Sequence, residues 1–448
     1  MKQVMKRLTA LLLVGIMVIS MIPELTVKAA GNANIQCVFK CGANVTGVLD
    51  ITGTLTLTGT GSTYEGDSGK NWINSFWYGD KDKNGFETYQ YRINCVVIGD
   101  GITSIGNYLF RACSSLNSVT IGKDVQTIGK YAFENCEMLT SINIPGNVQV
   151  IDEYAFYRSG LNDVRLNKGL QYINKGAFEK TKITAVTIPE NTINIEECAF
   201  GDTVKNITIS KGVSAIQANA FLAENAYVDV LDDNVVLSRY AFGKGTTLKG
   251  NAASTAAKFV SDTNKTASYD GYYKFEVRPI KVFFAANGGT CKQQSMSAIP
   301  SKYYGTLPAS ARKGYTFAGW YTSPAGGVKV SRQSKVANKN ITLYAHWTKV
   351  KVAKAKKPGV KSTSKKKAKV TIKRVKNAYG YQICYSAKKN MSGAKKKVTK
   401  KLTKTLTKTL TGLKSKKKYY VKVRAFKKDS TGNRVYGKWS AVKAVKIK

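Results

Sequence analysis

Apolar positions along the chain follow two rhythms. In the first half, phenylalanines recur at Phe110, Phe133, Phe156, Phe178, Phe200 and Phe221, with a weaker copy at Phe242, in steps of 23, 23, 22, 22, 21 and 21 residues. An isoleucine stands five residues before each of the first six: Ile105, Ile128, Ile151, Ile173, Ile195 and Ile216. An alternating pair follows each of the first five: Val119/Ile121, Ile142/Ile144, Val164/Leu166, Val186/Ile188 and Ile207/Ile209. Alternation predicts a short strand with one buried face. A fixed period predicts a stack of coils, because one copy cannot bury its apolar face alone. The outward strand positions are then Ser118, Thr120, Ser141, Asn143, Asp163, Arg165, Ala185, Thr187, Asn206 and Thr208. They are small, mostly uncharged and free of Trp and Tyr, which fits either a solvated scaffold or a broad binding face. Asn143, Asp163 and Arg165 are its candidate binding residues. Each Phe is expected to fill the core opposite the strand. The residue after each Ile is expected to turn the chain. It is Gly106 and Gly129 in the first copies, where glycine tolerates unusual backbone angles, and Asp152, Asn174, Glu196 and Gln217 later.

The copies "ITSIGNYLFRACSSLNSVTIG" and "QTIGKYAFENCEMLTSINIP" resemble the BspA-like leucine-rich repeats of bacterial surface proteins. "GTLTLTGTG" followed by "CVVIGDGITSIG" looks like that family's N-terminal cap, and "TLKGNAASTAAKFV" like its closing segment. The resemblance implies a leucine-rich repeat solenoid, α/β in class with short parallel strands and a helical or irregular far half. It also implies a role in adhesion and binding. The cap is assigned to 31–101 and the repeats with their closing segment to 102–265.

The second rhythm has period two. In 281–348, strand-like runs alternate with glycine turns at Asn287-Gly288-Gly289 and Gly326-Gly327. The motifs "ANGGT", "GYTFAGWYT" and "TLYAHW" resemble the internalin-type B repeat, or Listeria–Bacteroides repeat, implying a small β-grasp-like domain. Its His346, the chain's one histidine, has no readable catalytic partner and is assigned a structural role between Tyr344 and Trp347. Residues 349–357 are expected to be a basic linker, and 358–448 a second small β-rich domain. There lysine alternates with apolar residues, giving strands whose polar face is nearly all lysine. The spacing from Leu413 to Tyr419, "NAYGYQICYS" and "GKWS" resemble a fibronectin type III sandwich with its tyrosine corner. The Trp usual in the second strand is absent, and Ile372 or Val375 stands near its place.

Charge sharpens this division. The formal net charge is +44, yet residues 349–448 hold 35 Lys and Arg against one acid, Asp429. The candidate polyanion-binding residues are the triplets Lys365, Lys366, Lys367; Lys395, Lys396, Lys397; and Lys416, Lys417, Lys418. Lysine fits diffuse, salt-sensitive attraction to anionic wall polymer or acidic glycan. A face that resists edge pairing is the plainer explanation of the same residues. Nucleic acid is the less suitable partner for an exported chain. Export is expected because Lys2, Lys6 and Arg7 precede an apolar run and a Val27-Lys28-Ala29 cleavage pattern, making 1–30 a secretory signal. The location is therefore secreted or wall-associated, although "VKAVKIK" at the end shows no wall-sorting pattern.

The stretch 63–92 interrupts the cap with Trp72, Trp77 and Tyr78 among mixed charges, a candidate binding loop or an end cover. Asp80, Asp82 and Asn84 match half a calcium loop, but Tyr91 stands where the bidentate Glu belongs. The eight cysteines show no CxxC pairs and there is one histidine, so no structural zinc is expected and most hydrolase triads are excluded. No cofactor is expected. An adhesion or binding protein is the first expectation. A structural wall component without a specific ligand is the second, and a carboxylate-pair glycan-active enzyme in 63–92 the third. Cys113 and Cys136 occupy one slot in successive copies, which allows either a bridge or two small packing residues.

Overall fold

The computed structural model describes residues 35–65, 89–266, 272–399 and 406–448. The expected signal segment 1–30, the aromatic residues Trp72, Trp77 and Tyr78, and the candidate half calcium loop of Asp80, Asp82 and Asn84 lie outside them. Two compact units divide at Arg278 and Pro279.

The first unit is the stack. Three antiparallel strands, Ile35–Lys40, Gly42–Asp50 and Thr54–Thr63, open it. The third is long enough to seed two parallel ladders, pairing with Cys95–Ile98 along one half and Ile102–Ile105 along the other. The first ladder runs on in three hydrogen-bonded groups: Cys95–Ile98 with Ser118–Thr120, then Ser141–Asn143 with Asp163–Arg165, then Ala185–Ile188 through Asn206–Ile209, Tyr227–Val230 and Thr247–Gly250 to Lys274–Val277. It continues past residue 265, where the closing segment was expected to end. Its alternation is as the sequence implies: Ile142, Val164, Val186 and Ile207 are buried while Ser141, Asp163, Ala185 and Asn206 are exposed. The second ladder is built of two-residue strands that carry the periodic isoleucines.

The third side is turn, not helix, and the phenylalanines fill it. All seven, Phe110 to Phe242, are at most 1% exposed. Their rings stack in one file with centroids 4.9 to 5.5 Å apart. Each stacked pair contributes about 0.5–1.5 kcal/mol beyond area burial. The backbone here is not strand, yet its donors still bond along the stack: Tyr108, Phe110 and Ala112 each donate to the next copy, at 2.7 to 2.8 Å. Two of these three donors, Tyr108 and Ala112, are left-handed. Tyr108, Tyr131, Tyr154, Gly176, Cys198, Asn219 and Tyr240 share one slot, with φ between 54° and 63°. A bulky residue there is strained by about 1–2 kcal/mol. The strain is offset where Tyr108, Tyr131 and Tyr154 stack on one another at 4.9 and 5.1 Å.

Gly106 and Gly129 therefore do not supply the turn's left-handed angle, as the sequence reading expected. That position lies two residues on. They are glycine because a Cβ at Gly106 would strike the carbonyl of Tyr64, and one at Gly129 would meet Asn107 and the Ile105 carbonyl.

The helix Thr255–Thr266 closes the stack. Ser254 caps it, its hydroxyl accepting the Ala257 N–H at 3.3 Å. The Tyr273 hydroxyl donates to the Phe242 carbonyl at 2.5 Å, ending the phenylalanine file.

The second unit holds two β domains. The first has a five-stranded mixed sheet in the order Ser295–Ala298, Ile280–Ala285, Ile341–Lys349, Tyr315–Tyr321, Lys329–Val330. Buried Trp320 donates its indole N–H to the Pro308 carbonyl at 2.8 Å. The second is a sandwich of Gly359–Ser364, Lys367–Ile372 and Leu406–Leu410 against Lys395–Val398, Gly380–Ser386, Lys418–Lys428, Arg434–Tyr436 and Lys443–Lys446. Tyr419 makes the tyrosine corner, its hydroxyl accepting the Lys414 N–H at 3.2 Å. Fully buried Tyr381 supplies the large core ring that the second strand lacks.

Residues 349–357 are not a free linker. Ala355 is 3% exposed in the sandwich core and Val352 packs against it. A second tie is the turn after Lys418–Lys428. Asp429 accepts the Gly314 N–H at 2.7 Å, and the Ser430 hydroxyl accepts the Arg312 N–H at 2.8 Å.

Candidate functional site

Two surfaces carry the candidate residues that the structure describes. On the outward face of the first ladder, parallel pairing sets residues in rows. Ser141 stands opposite Asp163, and Asn143 opposite Arg165. Thr187 pairs with Thr208, which leads on to Asp229. Asn143, Asp163, Arg165, Thr187, Asn206 and Thr208 border a shallow depression of about 680 Å³.

Electrostatics divides this face. At its C-terminal end all the charges but exposed Lys274 are paired internally: Arg278 binds the Asp229 carboxylate and donates to the Val230 carbonyl at 2.8 Å. Lys249 lies 3.8 Å from Glu276, which also accepts the Tyr227 hydroxyl at 3.3 Å. At the depression, Asp163 and Arg165 are exposed and have no ion-pair partner among the described residues. Two unpaired opposite charges on alternate positions of one strand can meet a partner's charges without breaking a bond within the stack. Tyr227, in the seventh row, is an aromatic on this face that sequence reading missed. The apolar pairs were read only for the first five copies, although the alternation "YVDV", with Val228 and Val230 inward, was the available signal.

A second depression, about 640 Å³, lies over the loops between the ladders and is bordered by Thr103, Asp124, Gln126, Asn147, Gln149 and Gln171. The carboxamides Gln126, Gln149 and Gln171 repeat there once per coil. The remaining ionic contacts of the stack join one coil to the next, as in Lys130–Glu153 at 3.0 Å and Lys175–Glu197 at 3.1 Å. Exposed pairs of this kind contribute little each.

The buried cysteines of the stack are packing residues. Cys113 and Cys136 are free and buried, and the Cys136 thiol donates to the Phe110 carbonyl at 3.1 Å. Burial pushes the Cys41 and Cys113 thiols up to about 12 and raises Cys136 as well. His346 is structural, but its partners lie across the sheet rather than beside it in sequence. Its ring stacks on Tyr321 at 3.9 Å and its Nε2 lies 2.9 Å from the Ser323 carbonyl oxygen.

The second surface is the sandwich. Lys365–Lys367 and Lys416–Lys418 meet at one end, where the Leu413 N–H donates to the Lys366 carbonyl and the Lys416 N–H to the Ile447 carbonyl. Lys395, Lys396 and Lys397 form an edge strand paired with Tyr385, Cys384 and Ile383. The one acid, Asp429, does not neutralise them. It is 7% exposed. Burial opposes its charge, but the Gly314 N–H, the Thr431 hydroxyl and the N–H groups of Asn433 and Thr431 outweigh burial and lower its pKa. Sequence reasoning also missed Lys422 and Arg424. The Arg424 guanidinium lies 4.0 Å from the Tyr436 ring and 4.5 Å from Trp439, with Lys422 5.1 Å from the same indole.

Among the described residues, no cluster of three His, Cys, Asp or Glu is placed to hold a metal, and no helix is long and apolar enough to cross a membrane.

Comparison with known proteins settles the repeat's family. The model described as the BspA type leucine rich repeat region matches residues 82–204 and 171–254 in 6 copies. That for the Listeria-Bacteroides repeat domain matches 281–346. Residues 82–254 are a run of BspA-type leucine-rich repeats. The chain's solved neighbours include a leucine-rich repeat protein from Eubacterium ventriosum, 16% identical over 55% of this chain and 87% of that one, with a TM-score of 0.30. A leucine-rich cell surface protein from Faecalibacterium prausnitzii is 15% identical over 56% of this chain and 97% of its own, with a TM-score of 0.25. The sixth fibronectin type III domain of a human fibronectin type III domain containing protein is 18% identical over 22% of this chain and 89% of its own, with a TM-score of 0.16. No curated protein matches the chain. Both matched families are repeat modules of surface proteins rather than enzymes.

Proposed function

We propose that this BspA-like protein is a secreted bacterial surface protein that binds an extracellular protein or glycan. The stack presents the ligand face, and the cationic sandwich attaches the chain to anionic wall polymer or acidic glycan. The observation that carries the first part is the unpaired Asp163 and Arg165, of opposite charge and set together in a depression of the outward face. The second part is supported by a domain with a large basic excess whose one acid is committed to backbone N–H groups.

The test is a screen of extracellular-matrix proteins and a glycan array with the secreted chain, in parallel with Asp163→Ala/Arg165→Ala. A ligand retained at 150 mM salt and lost in the double variant supports the ligand face. If every bound species elutes with modest salt and the variant binds alike, the specific-ligand reading fails. A structural wall component then remains, a reading favoured by the small uncharged residues over most of that face.

A further inference from the structure

The three lysine triplets are the obvious cationic groups, but they lie at an end and an edge of the sandwich, mostly exposed. The outer face of its larger sheet gathers one lysine from each of two triplets, Lys396 and Lys418, around Lys422 and Arg424, which belong to none. Lys396 and Lys422 pair with Cys384 from opposite sides, placing two cations in one row. Arg424 is in the next row, opposite Gln382, whose side-chain oxygen accepts its Nε–H at 2.8 Å. Its guanidinium is held between Tyr436 and Trp439, and Lys422 rests against Trp439. Lys418 extends the strip, 5.9 Å from the Tyr420 ring. None of these cations has an ion-pair partner among the described residues, and the domain's one acid is spent elsewhere.

Aromatic contacts fix a cation's position without cancelling its charge. A group already fixed loses less conformational entropy when it binds than a free lysine does. With its Nε–H engaged, Arg424 retains the outer edge of the guanidinium, which matches tetrahedral oxyanions in a two-point contact.

We propose that this strip is the seat of polyanion recognition, and that it takes a linear polymer of sugar or polyol units carrying sulfate or phosphodiester groups. The remaining lysines of the triplets then act as a diffuse attractor. This inference rests on the polyanion-binding reading above and goes beyond it by naming the face, the fork and the oxyanion.

The test uses the full secreted chain with three probes at 150 mM salt: heparin fragments, poly(glycerol phosphate) and hyaluronan, whose only anions are carboxylates. Heparin or poly(glycerol phosphate) is expected to bind, with hyaluronan weaker, and which of the two binds tells sulfate from phosphodiester. Arg424→Lys, which keeps the charge, should weaken binding about tenfold, the scale of one lost charge-assisted contact. Lys422→Gln, a change with no polar partner to orphan, should do likewise. Lys365→Ser/Lys366→Ser/Lys367→Ser should instead flatten the salt dependence. Equal binding by wild type, Arg424→Lys and Lys422→Gln, or a preference for hyaluronan, would overturn the strip as the seat while leaving polyanion attachment standing. A wild-type chain that binds none of the probes would overturn both.

Discussion

At the scale of single residues, the repeat is an array of slots with different tolerances. The phenylalanine slot is the strictest: Phe156 is fully buried between two stacked rings, 5.2 Å from each. Phe156→Ala should cost about 3–5 kcal/mol, measured by denaturant unfolding. The left-handed slot is the most strained, and Gly176 shows that glycine is accepted in it. Cys198, in the same slot with φ 55° and no ring stack to offset it, should gain from Cys198→Gly by up to about 1 kcal/mol; a loss of stability would mean that the slot carries no strain. The thiols give a pH signature. Their folded pKa values lie above the ordinary value of 9.0, so the folded state holds its protons longer than the unfolded chain. That part of stability is complete below pH 9 and declines between about pH 9 and 12. In native protein Cys41, Cys113 and Cys136 should resist a thiol reagent that labels them at once in denaturant. Little of this was legible beforehand. The period placed Phe and Ile correctly, yet it made Gly106 a turn residue, because spacing reports that a slot is small and not whether φ or a neighbouring carbonyl makes it so.

At the scale of elements, alternation and period were enough for the stack, since a two-residue strand in one copy gains its partner from the next. The tyrosine corner and Gly-rich turns served the β domains in the same way. What sequence could not give was pairing between distant segments. The packing of Val352 and Ala355 into the sandwich, and the Asp429–Gly314 contact, join residues that no local pattern connects. Asp429→Ala should therefore loosen the junction of the two β domains, seen as faster amide exchange at Gly314 and Thr431. Because its folded pKa is lowered, the stability Asp429 adds is present above the ordinary carboxylate range and is lost as pH falls through the folded value. At the other end of the chain's ordered stack, Tyr273→Phe leaves the Phe242 carbonyl without its donor and should cost about 1–2 kcal/mol.

At the scale of the whole molecule, charge is the organising feature. A near-neutral stack precedes a region of 100 residues bearing 35 basic side chains and one acid, a division plain in the sequence. Which cations are fixed and which are free was not plain, because Trp439 and Tyr436 reach Arg424 only through the fold. The proposed ligand face was half legible: alternation named Asn143, Asp163 and Arg165, but only the fold shows that Asp229, Lys249, Glu276 and Arg278 at its far end are already paired. The measurement that bears most directly on this account is co-sedimentation of the full secreted chain with isolated bacterial cell walls, before and after extraction of their anionic polymers, across a salt series. The account predicts retention on intact walls, loss on extracted walls, and release as salt rises. Equal retention on extracted walls, insensitive to salt, would contradict it.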